Sequence, residues 1–343
     1  MKIGIHPDKD SFSVRWIAYC KENNISYKEV DCYQSDIIQQ LSDCDALMWH
    51  FSHKGSRESK FAKQLLYSVQ ASGKGVFPDV NTVWHFDDKV GQKYLLEAID
   101  APLTGTHVFY SKKEALEWAG RTSYPKVFKL RTGSGSSSVQ LVRSGTRARH
   151  LIRKAFGRGF RQHEPWSDLK ERIRKYSLGM TSLWDVIKGV IRIFYTTRYA
   201  RVTGREKGYV YFQDFVPDNN YDIRIIVIGD KAFAIKRMVR KGDFRASGSG
   251  AVLYEKELFD EETVRIAFEV SEQIQTQCMT YDFVFLEGKP QIVEISYGFV
   301  IKVYDDCTGY WSKDLNWHEG SINPYGWMVE DLIKACIEGR SQT

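Results

Sequence analysis

The chain has 343 residues, of which 43% are hydrophobic and 27% charged, and its formal net charge is +6. This length allows two or three domains, and the composition is that of a folded globular protein rather than a disordered one. The N-terminus lacks a charged-then-apolar signal pattern, and no run approaches the ~20 apolar residues of a membrane span, so we predict a cytoplasmic protein. Six scattered cysteines without a Cys-x-x-Cys pair favour reduced thiols over a disulfide framework or a zinc site.

Residues 1–85 alternate short apolar runs with helical patterns. The apolar runs predict strands at 2–5, 27–32, 46–49 and 75–77, and the helical patterns predict helices at 11–22 and 57–72. Such alternation predicts a small α/β unit with a largely parallel sheet. Asp87-Asp88-Lys89 then begins a predicted helix that continues to Ile99, with its acidic residues at the positive end of the helix.

A glycine- and serine-rich stretch, Arg131-Thr-Gly-Ser-Gly-Ser-Ser-Ser138, separates predicted strands at 126–130 and 139–142. Glycines let backbone N–H groups approach a phosphate closely, whereas the plainer interpretation is a flexible hairpin turn. The stretch is not a Walker loop, because no Gly-Lys-Ser/Thr follows it. Lys129 ends an otherwise apolar strand, so its ammonium must find a counter-anion or reach solvent.

Further strands are predicted at 209–215, 222–228, 231–239 and 251–253, followed by helices at 261–277 and near 328–338. Asp222 and Arg224 flank one apolar residue and therefore share a strand face. Arg237 and Arg245 offer planar, bidentate donors for phosphate or carboxylate. The alternative for each charge is a solvated strand edge that carries ordinary ion pairs.

Two apolar runs around Glu287-Gly-Lys289 predict a β-hairpin. If the loop has three residues, Asp282 pairs with Glu294, and both carboxylates share one face with Ser296. Like charges directly opposite each other repel, and a divalent cation such as Mg²⁺ between them would remove that repulsion. A two-residue loop would instead place the two acids on opposite faces.

The order of these pieces resembles the ATP-grasp superfamily, most closely the RimK-like carboxylate–amine ligases. The matching pieces are Asp87-Asp-Lys89, Lys129 before the Gly-Ser loop, Gln213-Asp-Phe-Val216, Asp222-Ile-Arg224, Arg237, Gly242-Asp-Phe-Arg245, and Asp282 with Glu294-Ile-Ser296. The resemblance implies a small leading α/β domain followed by an ATP-grasp fold of two α+β lobes. The corresponding boundaries are 1–85 for the leading domain, 86–146 for the N-terminal lobe, 147–207 for a basic helical insertion, and 208–343 for the C-terminal lobe with an aromatic-rich tail.

The resemblance, applied residue by residue, also implies a role for each residue of the site. The residues implied to hold ATP phosphates are Lys89, Lys129 and the loop residues Gly133, Ser134, Gly135 and Ser136. The residues implied to surround adenine and ribose are Gln213, Asp214, Phe215, Val216 and Asp222. The implied Mg²⁺ ligands are Asp282, Glu294 and Ser296, and the implied catalytic cations beside the γ-phosphate are Arg224, Arg237 and Arg245. Two departures are Ser296 and Ser247, where the family usually has Asn.

The resemblance implies an ATP-dependent ligase that phosphorylates a carboxylate acceptor and then joins it to an amine donor. The most specific version attaches an amino acid or amine to a uronic-acid carboxylate of a surface polysaccharide, so that the acceptor is an acidic glycan. One alternative keeps the fold and changes the acceptor to a peptide or protein. Another is a non-catalytic nucleotide-binding protein.

Residues 147–207 contain 16 Lys and Arg but only 5 Asp and Glu, so this segment holds the whole positive excess of the chain. Ser182-x-x-Asp185 resembles a capping box, and one helical face then carries the apolar residues Leu183, Ile187, Val190, Ile191 and Phe194. The alternatives are an ordinary helix docked on the core, an anionic membrane surface at the inner membrane face, or a polyanionic substrate. Charge alone would also allow a nucleic-acid adaptor, but no nucleic-acid motif supports it.

The tail at 310–319 is dense in aromatic residues with hydrogen-bonding neighbours. It is consistent with sugar binding, or with a C-terminal cap that buries its tryptophans on the domain. His318 and Glu319 are candidates for a base that accepts a proton from the incoming amine.

Overall fold

The computed structural model describes residues 1–52, 58–133, 139–161, 169, 172–173, 176, 181–194, 204–239, 244–246 and 251–340. Ten helices within these ranges are α1 (Ser13–Glu22), α2 (Ile37–Gln40), α3 (Glu58–Ala71), α4 (Val80–Val83), α5 (Lys89–Ala98), α6 (Lys112–Arg121), α7 (Gly145–Ala155), α8 (Leu183–Phe194), α9 (Glu261–Gln273) and α10 (Pro324–Arg340). Two short 3-10 helices lie at Lys256–Leu258 and Ile301–Tyr304.

The N-terminal unit is a four-stranded, all-parallel sheet in the order β2-β1-β3-β4. Its strands are β1 (Ile3–Ile5), β2 (Tyr27–Glu29), β3 (Ala46–Met48) and β4 (Gly75–Phe77). The strands β1 and β3 are buried along their whole length, which is why they are continuously apolar rather than alternating. The parallel α/β unit predicted from the alternation of elements is therefore present.

The second sheet is antiparallel, in the order β5-β10-β6-β7. Its strands are β5 (Thr106–Phe109), β6 (Lys126–Lys129), β7 (Gln140–Val142) and β10 (Val210–Asp214). The strand β10 lies beyond residue 208, yet it pairs inside this N-terminal lobe. Most of helix α7 lies within the predicted insertion 147–207, but its Ala148, Leu151 and Ile152 are buried in the core of the same lobe. These two elements move the lobe's boundaries away from those predicted, because strand pairing and core packing join segments that are distant in sequence.

The C-terminal lobe contains a seven-stranded sheet in the order β15-β14-β11-β12-β16-β17, with β13 paired to β12. Its strands are β11 (Tyr221–Ile228), β12 (Lys231–Met238), β13 (Val252–Leu253), β14 (Cys278–Leu286), β15 (Lys289–Ser296), β16 (Gly309–Ser312) and β17 (Trp317–Glu319). A separate two-stranded ribbon pairs β8 (Phe160–Arg161) with β9 (Arg205–Glu206).

Three hydrophobic cores hold these units together. Two of them join the N-terminal unit to opposite faces of the large sheet: Trp49 and Leu66 share a core with Ile225, and Trp16 shares another with Phe233. The N-terminal lobe has a core of its own, which contains Phe128. The leading unit and the C-terminal lobe thus form one packed body, and the N-terminal lobe faces it.

The aromatic tail is packed on the protein, as the capping interpretation predicted. Trp311 is buried, and its ring lies 4.6 Å from that of Trp317. His318 stacks on Tyr310 at 4.8 Å. Because β16 pairs with β12 at Lys231 and Ala232, this hairpin lies about five residues along the strand from Arg237, roughly 17 Å at strand spacing.

Candidate active site

The hairpin of β14 and β15 brings Asp282 opposite Glu294, but not by the predicted loop. Leu286 pairs with Lys289, so the turn has two residues rather than three. Both turn residues, Glu287 at φ 51° and Gly288 at φ 80°, have the positive φ angles that a type I′ turn requires.

A β-bulge restores the facing of the two acids. Phe283 pairs with Ile292 and Asp282 pairs with Glu294, so Val293 is the extra residue on β15. One extra residue reverses the alternation of side chains along a strand, which returns Glu294 to the face of Asp282. The prediction of opposed carboxylates is thus met although the predicted loop length is wrong.

Two lysines of the N-terminal lobe reach this bulge. Lys89, at the start of α5, has its Nζ 3.3 Å from a carboxylate oxygen of Glu294. Lys129, at the end of β6, donates a hydrogen bond from Nζ to the carbonyl of Val293 at 3.1 Å. Both lysines are buried. Asp88 places Lys89 by capping α5, since its carboxylate accepts hydrogen bonds from the Val90 and Gly91 amides.

Burial and charge set the protonation of this cluster. Burial lowers the pKa of Lys129 to about 8, and the negative charge of Glu294 only partly offsets this. Burial alone would raise the pKa of Glu294, but the positive charges of Lys89 and Lys129 outweigh it and hold that pKa below its usual value. The cluster is therefore a site where added negative charge would be stabilised.

A second cluster of charges lies on the neighbouring strands. Arg224 makes a bidentate pair with Asp282, at 2.5 and 2.7 Å, and Arg237 makes another with Asp222, at 2.6 and 2.7 Å. Arg237 also approaches Asp282 at 2.9 Å. Burial would raise the pKa of Asp282, but the two guanidinium groups outweigh it and hold that pKa well below the usual value. Both carboxylate oxygens of Asp282 are thus already occupied by arginine donors.

The predicted metal ligands have the right chemistry, with one reservation set by these ion pairs. Glu294 and Ser296 share a face of β15, and carboxylate and hydroxyl oxygens suit Mg²⁺. The Ser296 hydroxyl donates to the Gly298 carbonyl at 3.2 Å. Asp282 can join them only if Arg224 or Arg237 releases one of the Asp282 carboxylate oxygens. Across the ranges that the structure describes, no group of three or more His, Cys, Asp or Glu is arranged to hold a metal ion.

The Gly-Ser loop is anchored at its first glycine. The Gly133 amide donates to the Asp87 carboxylate at 2.7 Å, and its carbonyl accepts from Lys89 Nζ at 2.8 Å. Gly133 has φ 107°, a backbone conformation that residues other than glycine rarely adopt. The remaining predicted loop residues, Ser134, Gly135 and Ser136, lie outside the described residues, and so does Ser247.

The predicted adenine hinge joins the two lobes. Gln213 is the penultimate residue of β10, which lies between β5 and β6, and its buried side chain has its amide 3.3 Å from the Thr106 hydroxyl. The Asp214 carboxylate is held by Lys126 at 2.6 Å and by His107 at 3.2 Å. These contacts fix the point at which the chain leaves the N-terminal lobe for β11.

The remaining predicted residues are near this hinge. The ring of Phe215 lies 6.0 Å from that of Phe244, which places the neighbouring Arg245 beside the hinge segment that continues to Val216. His318 and Glu319, by contrast, lie at the far end of the large sheet and are not brought to the site. The roles assigned to the individual residues stay predictions, since geometry alone establishes which side chains meet.

Sequence reasoning missed three participants. They are Asp87 as the anchor of Gly133, the bulged carbonyl of Val293, and Tyr304, whose hydroxyl lies beside Arg224. The sequence signal for the first was the Asp87-Asp88 pair directly before a predicted helix. The other two depend on contacts between residues that are far apart in sequence, Lys129 with Val293 and Arg224 with Tyr304.

Comparison with known proteins supports the resemblance drawn from the motifs. Residues 198–304 match the model of the RimK-like ATP-grasp domain. The chain has the ATP-grasp fold, because solved structures with that fold match 97% or more of its length at TM-scores of 0.55 to 0.61. The fold class predicted from the motif series is thereby confirmed. A comparison with curated proteins finds no match.

Three solved structures with this fold illustrate the similarity. A RimK-domain ATP-grasp protein from Sphaerobacter thermophilus has 13% identity and a TM-score of 0.55, over 97% of this chain and 100% of its own. The D-alanine–D-alanine ligase of Bacillus anthracis in complex with ATP has 11% identity and a TM-score of 0.57, over 100% and 98%. The biotin carboxylase domain of the Hydrogenobacter thermophilus 2-oxoglutarate carboxylase, with MgADP and bicarbonate, has 11% identity and a TM-score of 0.61, over 97% and 69%.

Proposed function

We propose that this ATP-grasp protein is an ATP-dependent ligase that joins a carboxylate acceptor to an amine donor through an acyl-phosphate. One observation carries the proposal: Lys89 and Lys129 leave separate elements of the N-terminal lobe and meet Glu294 and Val293 of the C-terminal lobe at 3.3 and 3.1 Å. Two lysines from different elements converging on one acidic hairpin form a cradle for a polyphosphate between the lobes. Two of the three solved structures with this fold support ATP as the nucleotide, since one is a complex with ATP and the other a complex with MgADP.

The proposed chemistry balances in two steps. A carboxylate oxygen of the acceptor attacks the γ-phosphorus of ATP, and the bond from that phosphorus to the bridging oxygen breaks to release ADP. The nitrogen of the deprotonated amine then attacks the acyl carbon, the carbon–oxygen bond breaks, and phosphate leaves with one oxygen of the original carboxylate. The amine gives up its remaining surplus proton to solvent.

The side chains of this chain would act chiefly by electrostatics. Lys89 and Lys129 would neutralise phosphate charge, and Arg224 and Arg237 lie where they could exchange their carboxylate partners for the transferring phosphoryl group. Mg²⁺, held by Glu294 and Ser296 and by Asp282 after such an exchange, would supply further neutralisation of the phosphates. A closed cleft between the lobes would protect the acyl-phosphate from water.

The acceptor that we propose is a carboxylate in general and not only a uronic acid of a polysaccharide. That version rested on the basic segment and on the aromatic tail, but the tail packs on the protein, at the far end of the sheet from Arg237. Charge alone remains as support for an acidic glycan. A uronic acid therefore belongs in the panel of acceptors, beside amino acids and acidic peptides.

Trapping of the intermediate tests the proposal. Hydroxylamine is a strong nucleophile that converts an acyl-phosphate into a hydroxamate, so the protein with ATP, Mg²⁺ and the right acceptor should form hydroxamate and phosphate in equal amounts. With an ¹⁸O-labelled carboxylate, one label should appear in the phosphate. The Lys129→Met variant should lose both products, whereas Lys112→Ala, an exposed lysine on α6, should retain them.

Two outcomes would count against the ligase. ATP binding by calorimetry without hydroxamate for any acceptor class would favour the non-catalytic nucleotide-binding alternative. Phosphate release without incorporation of ¹⁸O would mean that water, and not the acceptor, attacks the γ-phosphate.

A further inference from the structure

The outer face of α8 is unusually apolar for a surface helix. Six of the seventeen large hydrophobic side chains that are exposed in the described ranges lie between residues 173 and 190. Four of them, on α8 itself, are Leu183 at 55%, Trp184 at 61%, Ile187 at 39% and Val190 at 43% exposure. Their spacing places them along one side of the helix. Sequence analysis left open a helix docked by its apolar face, but three residues of that face, Leu183, Ile187 and Val190, are exposed.

The other side of the helix packs on Leu169 and Arg172, which precede it in the same basic segment. Gly189 is buried, and a Cβ there would come within 2.7 Å of the Arg172 side chain and 3.1 Å of that of Leu169. Arg172 also donates a hydrogen bond to the Asp185 carbonyl at 3.2 Å. The exposed apolar side of α8 is therefore opposite the side that makes these contacts.

We propose that the exposed face formed by Leu183, Trp184, Ile187 and Val190 docks on the surface of an anionic lipid bilayer. A helix of 12 residues is roughly 18 Å long, which is too short to cross a bilayer but suits a helix lying in the interface. No helix in the described ranges is long and apolar enough to cross a membrane. The proposal is independent of the ligase activity.

Charge complementarity selects the lipid surface over other occupants. The 147–207 segment has 16 basic and 5 acidic residues, and Lys188 on α8 is half exposed. Anionic headgroups would attract this segment while the acyl region takes up the apolar face. A second copy of the chain would bring two strongly positive segments together, which costs energy. A soluble polyanion would satisfy the charge but leave four aliphatic and aromatic side chains in water.

The neighbourhood of α8 has the composition of a membrane interface. Ile173 and Tyr176, just before the helix in sequence, are also exposed. Tryptophan and tyrosine concentrate at the headgroup level of bilayers, because their rings are apolar and each carries one hydrogen-bonding group. Trp184 and Tyr176 would therefore mark the depth at which the protein sits.

Vesicle sedimentation of the full chain tests the proposal. We expect binding to vesicles of phosphatidylcholine with about one third phosphatidylglycerol, weak binding to phosphatidylcholine alone, and release as salt rises from about 0.1 to 0.5 M. Replacing Trp184 and Ile187 together by Gln should weaken binding by at least about tenfold. The matched control replaces Ile38 and Tyr67, exposed on α2 and α3, by Gln and should leave binding unchanged.

Each other outcome overturns the proposal. It fails if the wild-type chain ignores anionic vesicles, or if the Trp184/Ile187 variant binds them as well as the control variant does. It also fails if polygalacturonate binds this face while vesicles do not, or if the variant's main effect is to dissociate a dimer measured by sedimentation. Calorimetry with ATP and the thermal midpoint of both variants establish that they are folded, so loss of vesicle binding is not loss of structure.

Discussion

Lys129 donates its ammonium hydrogen to the carbonyl of Val293, the residue that bulges out of the β14–β15 hairpin. The bulge does two things at once, because it turns Glu294 toward Asp282 and leaves a carbonyl that accepts from a buried lysine. A regular hairpin with the same two-residue turn would place Glu294 on the other face of the sheet. The proposed phosphate cradle therefore depends on one extra residue in a strand.

The pH dependence of nucleotide binding should report Lys129. Its pKa of about 8 is below the value of a free lysine, and a bound phosphate would raise it again, so binding takes up a proton above pH 8. We expect ATP affinity to fall by up to about tenfold per pH unit above pH 8, and to do so far less in Lys129→Met. Calorimetry in buffers of different ionisation enthalpy at pH 8.5 would measure the proton uptake, and none in the wild type would exclude this role.

The same shift has a consequence for stability without nucleotide. Between pH 8 and the higher pKa of an unfolded lysine, the unfolded state binds more protons than the folded state. This group alone therefore makes the free energy of unfolding rise with pH in that window.

Metal binding should require nucleotide. Arg224 and Arg237 occupy the oxygens of Asp282, so Mg²⁺ by itself must break the bidentate pair of Arg224 with Asp282 and leave that guanidinium in need of another anion. Phosphates would provide that anion. We expect no saturable binding of Mg²⁺ alone below about 1 mM, and clear binding once a non-hydrolysable ATP analogue is present. In Arg224→Met, Asp282 loses its bidentate partner, and binding without nucleotide should strengthen. Tight binding of Mg²⁺ to the wild-type protein alone would contradict this order.

Removal of Arg237 should be costly because the buried carboxylate of Asp282 and the half-buried carboxylate of Asp222 both pair with it. Arg237→Met is expected to lower the free energy of unfolding by about 3 kcal/mol, since it leaves Asp222 without its partner in a largely enclosed position. Combining it with Asp222→Leu should recover part of that loss, whereas independent sites would show additive losses. Arg15→Ala removes an exposed pair with Asp305 and should cost less than about 1 kcal/mol. Urea unfolding of the four proteins would measure these differences.

The hairpin turn offers a test of its backbone conformation. Glu287 has φ 51°, so Glu287→Asn should raise the free energy of unfolding by about 0.5 kcal/mol, because Asn tolerates this region better. Gly288→Ala should lower it by about 1 kcal/mol through backbone strain, since no atom lies within 4 Å of the added Cβ. Gly120→Ala is the control: its site is equally open, but it lies in α6 at an ordinary φ, and Ala should stabilise the helix there. Equal effects of the two Gly→Ala substitutions would argue against a type I′ turn.

Much of the fold and part of the site could be predicted from local sequence. The predicted strands of the leading unit match the observed ones to within about three residues, and the match is best for β1 and β3, because buried parallel strands must be apolar along their whole length. The pairing of Asp222 with Arg237 could not be predicted, although both residues were predicted to belong to the site. Register decides which residues pair on adjacent strands, and register depends on both strands at once. The predicted three-residue loop failed for the same reason, since a two-residue turn with a bulge gives Asp282 and Glu294 the same facing as a three-residue loop, and only the pairing of both strands distinguishes the two.

The sequence by itself determined the order of elements, the series of charged motifs and the concentration of basic residues in 147–207, because these follow from propensities and composition along the chain. Only the tertiary structure decided that β10 belongs to the N-terminal lobe, that arginines fill the oxygens of Asp282, and that α8 turns its apolar face outward. These outcomes depend on contacts between segments far apart in sequence. An amphipathic pattern shows that a helix has an apolar side, but not which neighbour, if any, covers it.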